Sequence, residues 1–302
     1  MISPASIDDA RRAAALIAAC SDDRFVTAIG IRYRIESGRP EDGMGYWRAE
    51  RDGELVGWAY GGLNSFASIR TVAFANIVVH PSYRRQGVGS ALWDVLLPHL
   101  DRIGARRILV WDGAPDEESM AFPRARGFSL AATATSSVVD PRTVAAPPAP
   151  PAGIELQPTS CFADDPEPIY VADKDFVRDE PGPGDYSGMT YETWRRHLWE
   201  NPDKDRELSM VALADGVVVG STFLHADRAS GRGANGGTGV IRAFRGQGIG
   251  LLIKQHSLAR AAAAGITRVI TENDETNAPM LAINARLGYE PCGVEHSWVL
   301  ER

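Results

Sequence analysis

The residues best suited to chemistry lie at Arg245, Gly246, Gln247, Gly248, Ile249 and Gly250, with Arg242 just upstream. Glycines at alternate positions let a backbone bend tightly and come within hydrogen-bond distance of a partner without Cβ atoms in the way. The apolar run ahead of them reads as a strand and the residues behind as a helix. That helix contributes unpaired N–H groups and the positive end of its dipole, and the two guanidinium groups add full charges. An anion is the partner such a turn selects, and phosphate oxygens suit it best. Standing alone, R-x-x-G-x-G is also met in ordinary loops before helices.

A second copy changes the weight of the motif. Arg84, Arg85, Gln86, Gly87, Val88 and Gly89 follow the apolar Ile77, Val78 and Val79 and precede a helical stretch from Ser90. Arg84 and Arg245 are 161 positions apart, as are Gly127-Phe128 and Gly288-Tyr289. Asp52-Gly53 answers Asp215-Gly216 at 163. Three co-registered features indicate a tandem repeat of one domain.

The elements that must position these turns follow from pattern. In the first half, Asp8 or Asp9 can cap a helix with Ala13, Leu16, Ile17 and Cys20 at helical spacing, and a second helix is expected near Phe25 to Glu36. Gly45 to Glu50, Glu54 to Leu63 and Ile69 to Val79 read as strands, the first two joined by a hairpin at Arg51-Asp52-Gly53. Val88 to Leu100 reads as helix, Arg107 to Trp111 as a short buried strand, Asp116 to Arg126 as helix and Phe128 to Val139 as strand. The second half repeats the order. Phe162 to Val177 and Thr190 to Trp199 are expected as helices, Leu208 to Ala214 and Val217 to Ala226 as a hairpin, and Gly236 to Ile241 as the strand entering the turn. Gln247 to Ala264, Arg268 to Thr271, Thr276 to Leu287 and Tyr289 to Leu300 then alternate helix and strand. The expected class is α+β, two domains each with a mixed, mainly antiparallel sheet flanked by helices. They are expected at 1–139 and 154–302, joined by a Pro/Ala-rich linker over 140–153 whose proline content favours a semi-rigid, extended spacer.

Composition narrows the function. The 302 residues are 44% hydrophobic and 24% charged, ordinary for a soluble globular protein. A net charge of −7 without a basic tail argues against a nucleic-acid partner. The start of the sequence does not read as a signal peptide and no apolar run suits a membrane span, so a cytoplasmic protein without a membrane partner is expected, as monomer or homodimer. Cys20, Cys161 and Cys292 are widely spaced and are expected to be structural, with no metal site.

Apolar strand, R-x-x-G-x-G, helix, strand, then a helix ending in Gly-Phe or Gly-Tyr resembles the GNAT superfamily of acyl-CoA-dependent N-acyltransferases. Asn277 through Tyr289 is the most family-specific string. The paired form is similar to actinobacterial tandem acyltransferases of the mycothiol synthase kind. The resemblance implies acetyl-CoA as cofactor, its pyrophosphate wrapped by the amides of Arg84, Arg85, Gln86, Gly87, Val88 and Gly89 and of Arg245, Gly246, Gln247, Gly248, Ile249 and Gly250. It implies that Ile77, Val78 and Val79, and Thr238, Gly239 and Val240, pair with the pantetheine arm through backbone groups. Asn277 would reach the cofactor near its thiol end.

The implied reaction is direct attack of a primary amine on the acetyl thioester, with backbone N–H groups stabilising the oxyanion. A lysine-like amine is about 3 pH units more basic than neutral water, so supplying its free base costs roughly 4 kcal/mol and a proton acceptor matters. Many family members carry a glutamate base on the strand before the turn, whereas this chain has Asn76 and Asn235 there. Where many carry a tyrosine acid, it has Pro123 and Asn284. The first half also has Asp116 where the second has Asn277, so the second domain is expected to be the catalyst and the first a structural or degenerate one. Glu272, Asp274 and Tyr289 are the catalytic candidates, with Glu275 and His225 near them; each also suits a turn, a cap or the core. Nine acids between Cys161 and Glu192, among them Asp173, Asp179, Glu180 and Asp185, would attract a small cationic amine acceptor, and they equally suit a solvated loop. Tyr186, Tyr191, Trp194 and Trp199 could wall a pocket or fill a core. A non-catalytic acyl-CoA sensor and a structural scaffold are the other readings.

Overall fold

The computed structural model describes residues 1–113 and 116–302. From the N-terminus its elements are β1 (Ile2–Pro4), α1 (Ala10–Cys20), α2 (Ala28–Glu36), β2 (Gly45–Arg51), β3 (Glu54–Leu63), β4 (Val72–Val79), α3 (Val88–Arg102), β5 (Arg107–Gly113), α4 (Glu117–Arg124) and β6 (Ser129–Val139). Past the Pro/Ala-rich segment come β7 (Ile154–Pro158), α5 (Glu167–Phe176), α6 (Tyr191–Trp194), β8 (Met210–Ala214), β9 (Val217–Asp227), β10 (Arg232–Val240), α7 (Ile249–Ala263), β11 (Arg268–Asp274), α8 (Ala278–Arg286) and β12 (Glu290–Glu301).

These elements form two units whose boundaries depart from a cut at the linker. Unit 1 comprises Met1–Ala134, Gly182–Met189 and Val294–Arg302; unit 2 comprises Thr135–Pro181 and Thr190–Gly293. The final strand is the reason. In unit 1 the strand order is β1-β2-β3-β4-β5, and β12 completes it by pairing antiparallel with β5, Glu295 opposite Gly113 through Glu301 opposite Arg107. In unit 2 the order is β7-β8-β9-β10-β11, and the Thr135–Val139 part of β6 lies beyond β11. Within each unit one pair, β4 with β5 or β10 with β11, is parallel, and its neighbours are antiparallel.

In unit 1, Leu92, Leu96 and Leu100 recur at every fourth position of α3 and are fully buried against Val56, Ala59, Ala73, Ala75, Ile108 and Trp298. Ala13 and Leu16 of α1 with Ile31 of α2 cover Leu55 and Trp58. Each such leucine contributes about 1.5–3 kcal/mol by leaving water. The hairpin turns are the type the twist of antiparallel strands requires, with Asp52 at φ 53° in unit 1 and Asp215 at φ 48° in unit 2.

Residues 182–189 dock on unit 1. Gly188 N donates to Phe66 O at 2.8 Å, Asn64 Nδ2 to Asp185 O at 3.0 Å, and Tyr186 packs on Phe66. A Cβ on Gly188 would come within 2.7 Å of the Ala67 carbonyl, so this contact needs glycine. In unit 2, the linker carbonyls of Ala145 and Pro148 are bound by Gln255 and His256 of α7. The helix expected to Trp199 ends earlier: after Trp194 the backbone widens into a π turn, closed by Glu200 N bonding to Arg195 O. The wider turn stacks Trp194 on Trp199 at 5.8 Å, and both are buried, so these two aromatics belong to the core. No described helix is long and apolar enough to cross a membrane.

Candidate active site

Parallel pairing fixes where each unit opens. In unit 1 the register of β4 and β5 runs from Val72 opposite Arg107 to Ala75 opposite Val110 and stops there. Beyond it Asn76, Ile77, Val78 and Val79 diverge from Trp111, Asp112 and Gly113, and a cavity of about 520 Å³ opens between them. Its lining includes Arg84, Arg85, Gly87 and Gly89 at the turn, Cys20 and Arg24 near the end of α1, and Phe122 and Trp298. The edge of β4 that faces the divergence keeps backbone groups for an extended ligand.

The turn after β4 is shaped by its own residues. Gly87 caps α3 at φ 81°, a conformation that suits glycine, and α3 begins at Val88. Arg84 Nε donates to Val79 O at 3.4 Å, which ties the turn to the strand, and Arg84 also faces the Asp116 carboxylate at 3.6 Å. The amides of the first turn of α3 point outward with the helix dipole behind them, a setting for phosphate. The cleft therefore fits an acyl-CoA: an unpaired strand edge for the amide-bearing arm, and a helix start with two arginines for the diphosphate.

At the inner end stand groups that the motif did not indicate. Asn76 is buried and its Nδ2 points to Trp111 O at 3.4 Å. Asp112 lines the cavity, and burial raises its carboxyl above the ordinary value although Ser119 and His296 pull the other way. Arg24 pairs with Glu295 at 2.7 Å. Burial also raises the Cys20 thiol, whose Sγ donates to Val79 O at 3.5 Å. Asp116, expected beside the cofactor, is the N-cap of α4, accepting from Ser119 N at 2.7 Å.

Unit 2 repeats the framework with different contents. Its parallel register runs from Arg232 opposite Arg268 to Ala234 opposite Ile270, and β10 carries a bulge between Asn235 and Gly237. Gly248 caps α7 at φ 78°, and Arg245 Nε donates to Val240 O at 2.9 Å, as Arg84 does to Val79. Here, however, the turn's arginines are engaged. Asp179 Oδ2 accepts from Arg242 Nε at 2.9 Å and meets Arg245 Nη1 at 2.8 Å; Arg242 Nη2 bonds its other oxygen. These two guanidiniums hold the Asp179 carboxyl well below the usual range. The Phe176 ring lies flat against Gly239, where a Cβ would fall 2.0 Å from it, so glycine is what permits the contact. The Asp179 carboxylate thus occupies both arginines of this turn.

The other expected residues of unit 2 are engaged in structure. Asn277 caps α8 by accepting from Met280 N at 3.3 Å. Asp274 accepts from Thr276 N at 2.8 Å, and Glu272 is exposed. Tyr289 is buried with its hydroxyl unpartnered among the described residues, and burial raises its pKa further from neutrality. Asn284 receives the buried Lys254 Nζ at 2.5 Å and gives its own amide to Asn273 at 2.6 Å. His225 lies against Gly236 beside the bulge, and burial lowers its imidazole to about 4. Asp173 is buried, accepting from Trp194 Nε1 at 2.5 Å beside Lys204, whose ammonium lies 3.5 Å from the Phe223 ring centre. Of the acids expected to draw a cationic acceptor, Asp173 and Asp179 are therefore already paired within the unit, and Asp185 binds Ser187.

Sequence reasoning missed Asp112, Glu295 and His296. A signal existed for the first, because the 161-residue offset places Asp112 opposite Asn273 at the outer end of the equivalent strand. None existed for the other two, whose place depends on which unit receives β12.

A parallel pair that splays over a glycine-capped helix start, in each of two α+β units, is the architecture of an acyl-group transferase. The family model described as "Acetyltransferase (GNAT) family" matches residues 13–128 and 169–289, more than half of the chain, and the chain belongs to that family. It is an acetyltransferase of tandem arrangement. It is 27% identical over 250 residues to the mycothiol acetyltransferase of Saccharomonospora viridis, covering 78% of this chain and 76% of that one. With the mycothiol acetyltransferase of Catenulispora acidiphila it shares 29% over 220 residues, 71% and 68% of the two chains. Among solved structures, a GCN5-related N-acetyltransferase from Sphaerobacter thermophilus superposes with TM-score 0.74 at 21% identity, over 100% of this chain and 95% of that one. A tandem GNAT protein from the clavulanic acid biosynthesis pathway gives 0.73 at 21%, over 100% and 98%.

Proposed function

We propose that this chain transfers an acetyl group from acetyl-CoA to the primary amine of a small cationic molecule, and that the acetyl-CoA lies in the cleft of unit 1. The observation that carries this is the 520 Å³ cavity bounded by the diverging strands and by the Arg84–Gly89 turn. The second turn has the family's Asn277, yet its arginines already hold Asp179, which favours the first unit for the cofactor. A cationic acceptor is supported by Asp112 in the cleft lining, with the Glu295 and Asp23 carboxylates within electrostatic reach of one another behind it. Bound acetyl-CoA would supply an activated thioester. Around it, Asn76 through Val79 would align the arm through backbone groups, the turn would hold the diphosphate, and Phe122 and Trp298 would exclude water. The two relatives named above are mycothiol acetyltransferases, so an amine precursor of mycothiol belongs in the amine panel. A cytoplasmic location accords with this reading.

Calorimetric titration with acetyl-CoA tests it. One equivalent is expected, weakened about 10-fold in Arg84→Ala, which loses the tie to Val79 and one cation, roughly the 1.4 kcal/mol of a charge-assisted contact. Arg245→Ala should leave that site unchanged. Binding abolished by Arg245→Ala and indifferent to Arg84→Ala would move the cofactor to unit 2.

A further inference from the structure

We infer that Asp112 accepts the proton that the acceptor amine loses in the cleft of unit 1, with His296 of β12 as its positioning residue. This rests on the reading of that cleft as the acyl-CoA site. Asp112 stands two residues beyond Val110, the last residue of β5 still paired to β4, so it enters the cleft where the strands have just parted. Its Oδ2 is buried and has no hydrogen-bond partner among the described residues. A buried carboxylate oxygen left unpaired is costly, and Asp112 lines the cavity, so a ligand donor reaching the carboxylate would relieve that cost. A protonated amine is a donor of the right kind.

His296 is the residue directly opposite Asp112 in the antiparallel β5–β12 register, so the two side chains share a face. Its Nδ1 is likewise buried and unpartnered, and its ring packs edge-on against Trp298 at 6.0 Å. The other groups that face Asp112 are Ser119 and Asp116 from α4 and Arg24 after α1. Arg24 is paired to Glu295 at 2.7 Å and its charge also acts on Asp112. Burial keeps its carboxyl more basic than a surface aspartate, in the direction a proton acceptor needs.

The step balances without a further reagent. The bound ammonium first gives one proton to the Asp112 carboxylate, which frees its lone pair. As the nitrogen bonds the acetyl carbon and the C–S bond breaks, its second surplus proton goes to the departing thiolate and Asp112 returns its own to solvent, so ammonium and thioester become amide, thiol and one solvent proton. The base of the reaction thus sits on β5 rather than on β4, where Asn76 cannot accept a proton. Half of the pair arrives from the last strand of the chain.

The test uses the full chain, with acetyl-CoA and ethylenediamine, spermidine and glucosamine as probe amines, followed by thiol release. Asp112→Asn should lower kcat for the best of them by 100-fold or more, leave the acetyl-CoA Kd within about 2-fold, and remove the acidic limb of the kcat–pH profile. Asp112→Glu should recover part of the rate. His296→Gln should move that limb and keep the acetyl-CoA Kd. Wild-type kcat and pH profile in Asp112→Asn, with acetyl-CoA still bound in unit 1, would overturn this assignment alone. A melting temperature lowered with kcat and profile unchanged would do the same, since that is what a merely structural aspartate gives. Failure of Arg84→Ala to affect acetyl-CoA binding, or turnover of no probe amine by the wild type, would remove the cleft reading and this inference with it.

Discussion

Lys254 is expected to make unit 2 more stable in alkaline than in neutral solution. Its side chain is almost fully buried, Nζ donates to Asn284 Oδ1 at 2.5 Å, and the Tyr289 ring lies 4.7 Å away; among the described residues no carboxylate offsets the charge. Burial lowers its amine from the ordinary 10.5 to about 7. Above pH 10.5 the amine is neutral folded and unfolded and affects neither. Between 10.5 and 7 the unfolded chain holds a proton that the folded one lacks, so stability declines as pH falls. At 1.36 kcal/mol per pH unit the full penalty below pH 7 is about 5 kcal/mol, an upper figure for a group that can relax. Urea unfolding followed by tryptophan fluorescence at pH 7.0, 8.0 and 9.5 reads it, and Lys254→Met should flatten the rise by up to about 3 kcal/mol across that window. Loss of the Nζ donor leaves Asn284 Oδ1 unpaired, a pH-independent cost of about 1–3 kcal/mol that shifts the whole curve without tilting it. Lys204 titrates in the same direction, also through burial, so the variant is compared with the wild type rather than with a flat line. Above pH 10 the buried Tyr289 acts with the opposite sign, which sets the upper end of the window. Equal slopes for wild type and Lys254→Met would refute the reasoning.

Two other perturbations follow from the same contacts. Asp179→Asn weakens the hold on Arg242 and Arg245, so calorimetry should detect a second, weaker equivalent of acetyl-CoA that the wild type lacks; unchanged stoichiometry would mean that Phe176 on Gly239 suffices to keep that turn closed. Gly188→Ala forces a methyl to within 2.7 Å of backbone atoms of Ala67 and Ser68. It should cost about 1–3 kcal/mol and expose residues 182–189 to limited proteolysis, whereas wild-type cleavage rates would show that the contact is not needed.

The repeat, the two turns and most elements were legible because they are written locally. Glycine spacing specifies Gly87 and Gly248, a near-continuous apolar run after the Asp52-Gly53 turn specifies β3, and leucines at every fourth position specify α3. What escaped depends on residues far apart in sequence. Asp179 lies 63 positions from Arg242, so an acidic stretch that reads as a solvated loop or an acceptor magnet in fact closes on its own unit. Trp194 and Trp199 were ambiguous between pocket and core until the π turn stacked them. No local pattern marks which sheet receives β12, and with it the neighbours of Asp112. The same limit applies to Asn284, whose role as acceptor for a buried lysine needs α7 and α8 side by side.

The placement of β12 sets a timetable for synthesis. β5 ends at Gly113 and its partner begins near Val294, so on a ribosome adding about 5–20 residues per second the edge of β5 waits on the order of 10–40 s for its neighbour. An open strand edge of that duration invites pairing with another chain. Unit 1 therefore closes only after most of unit 2 has been made, its cleft acquiring Trp298 when β12 arrives.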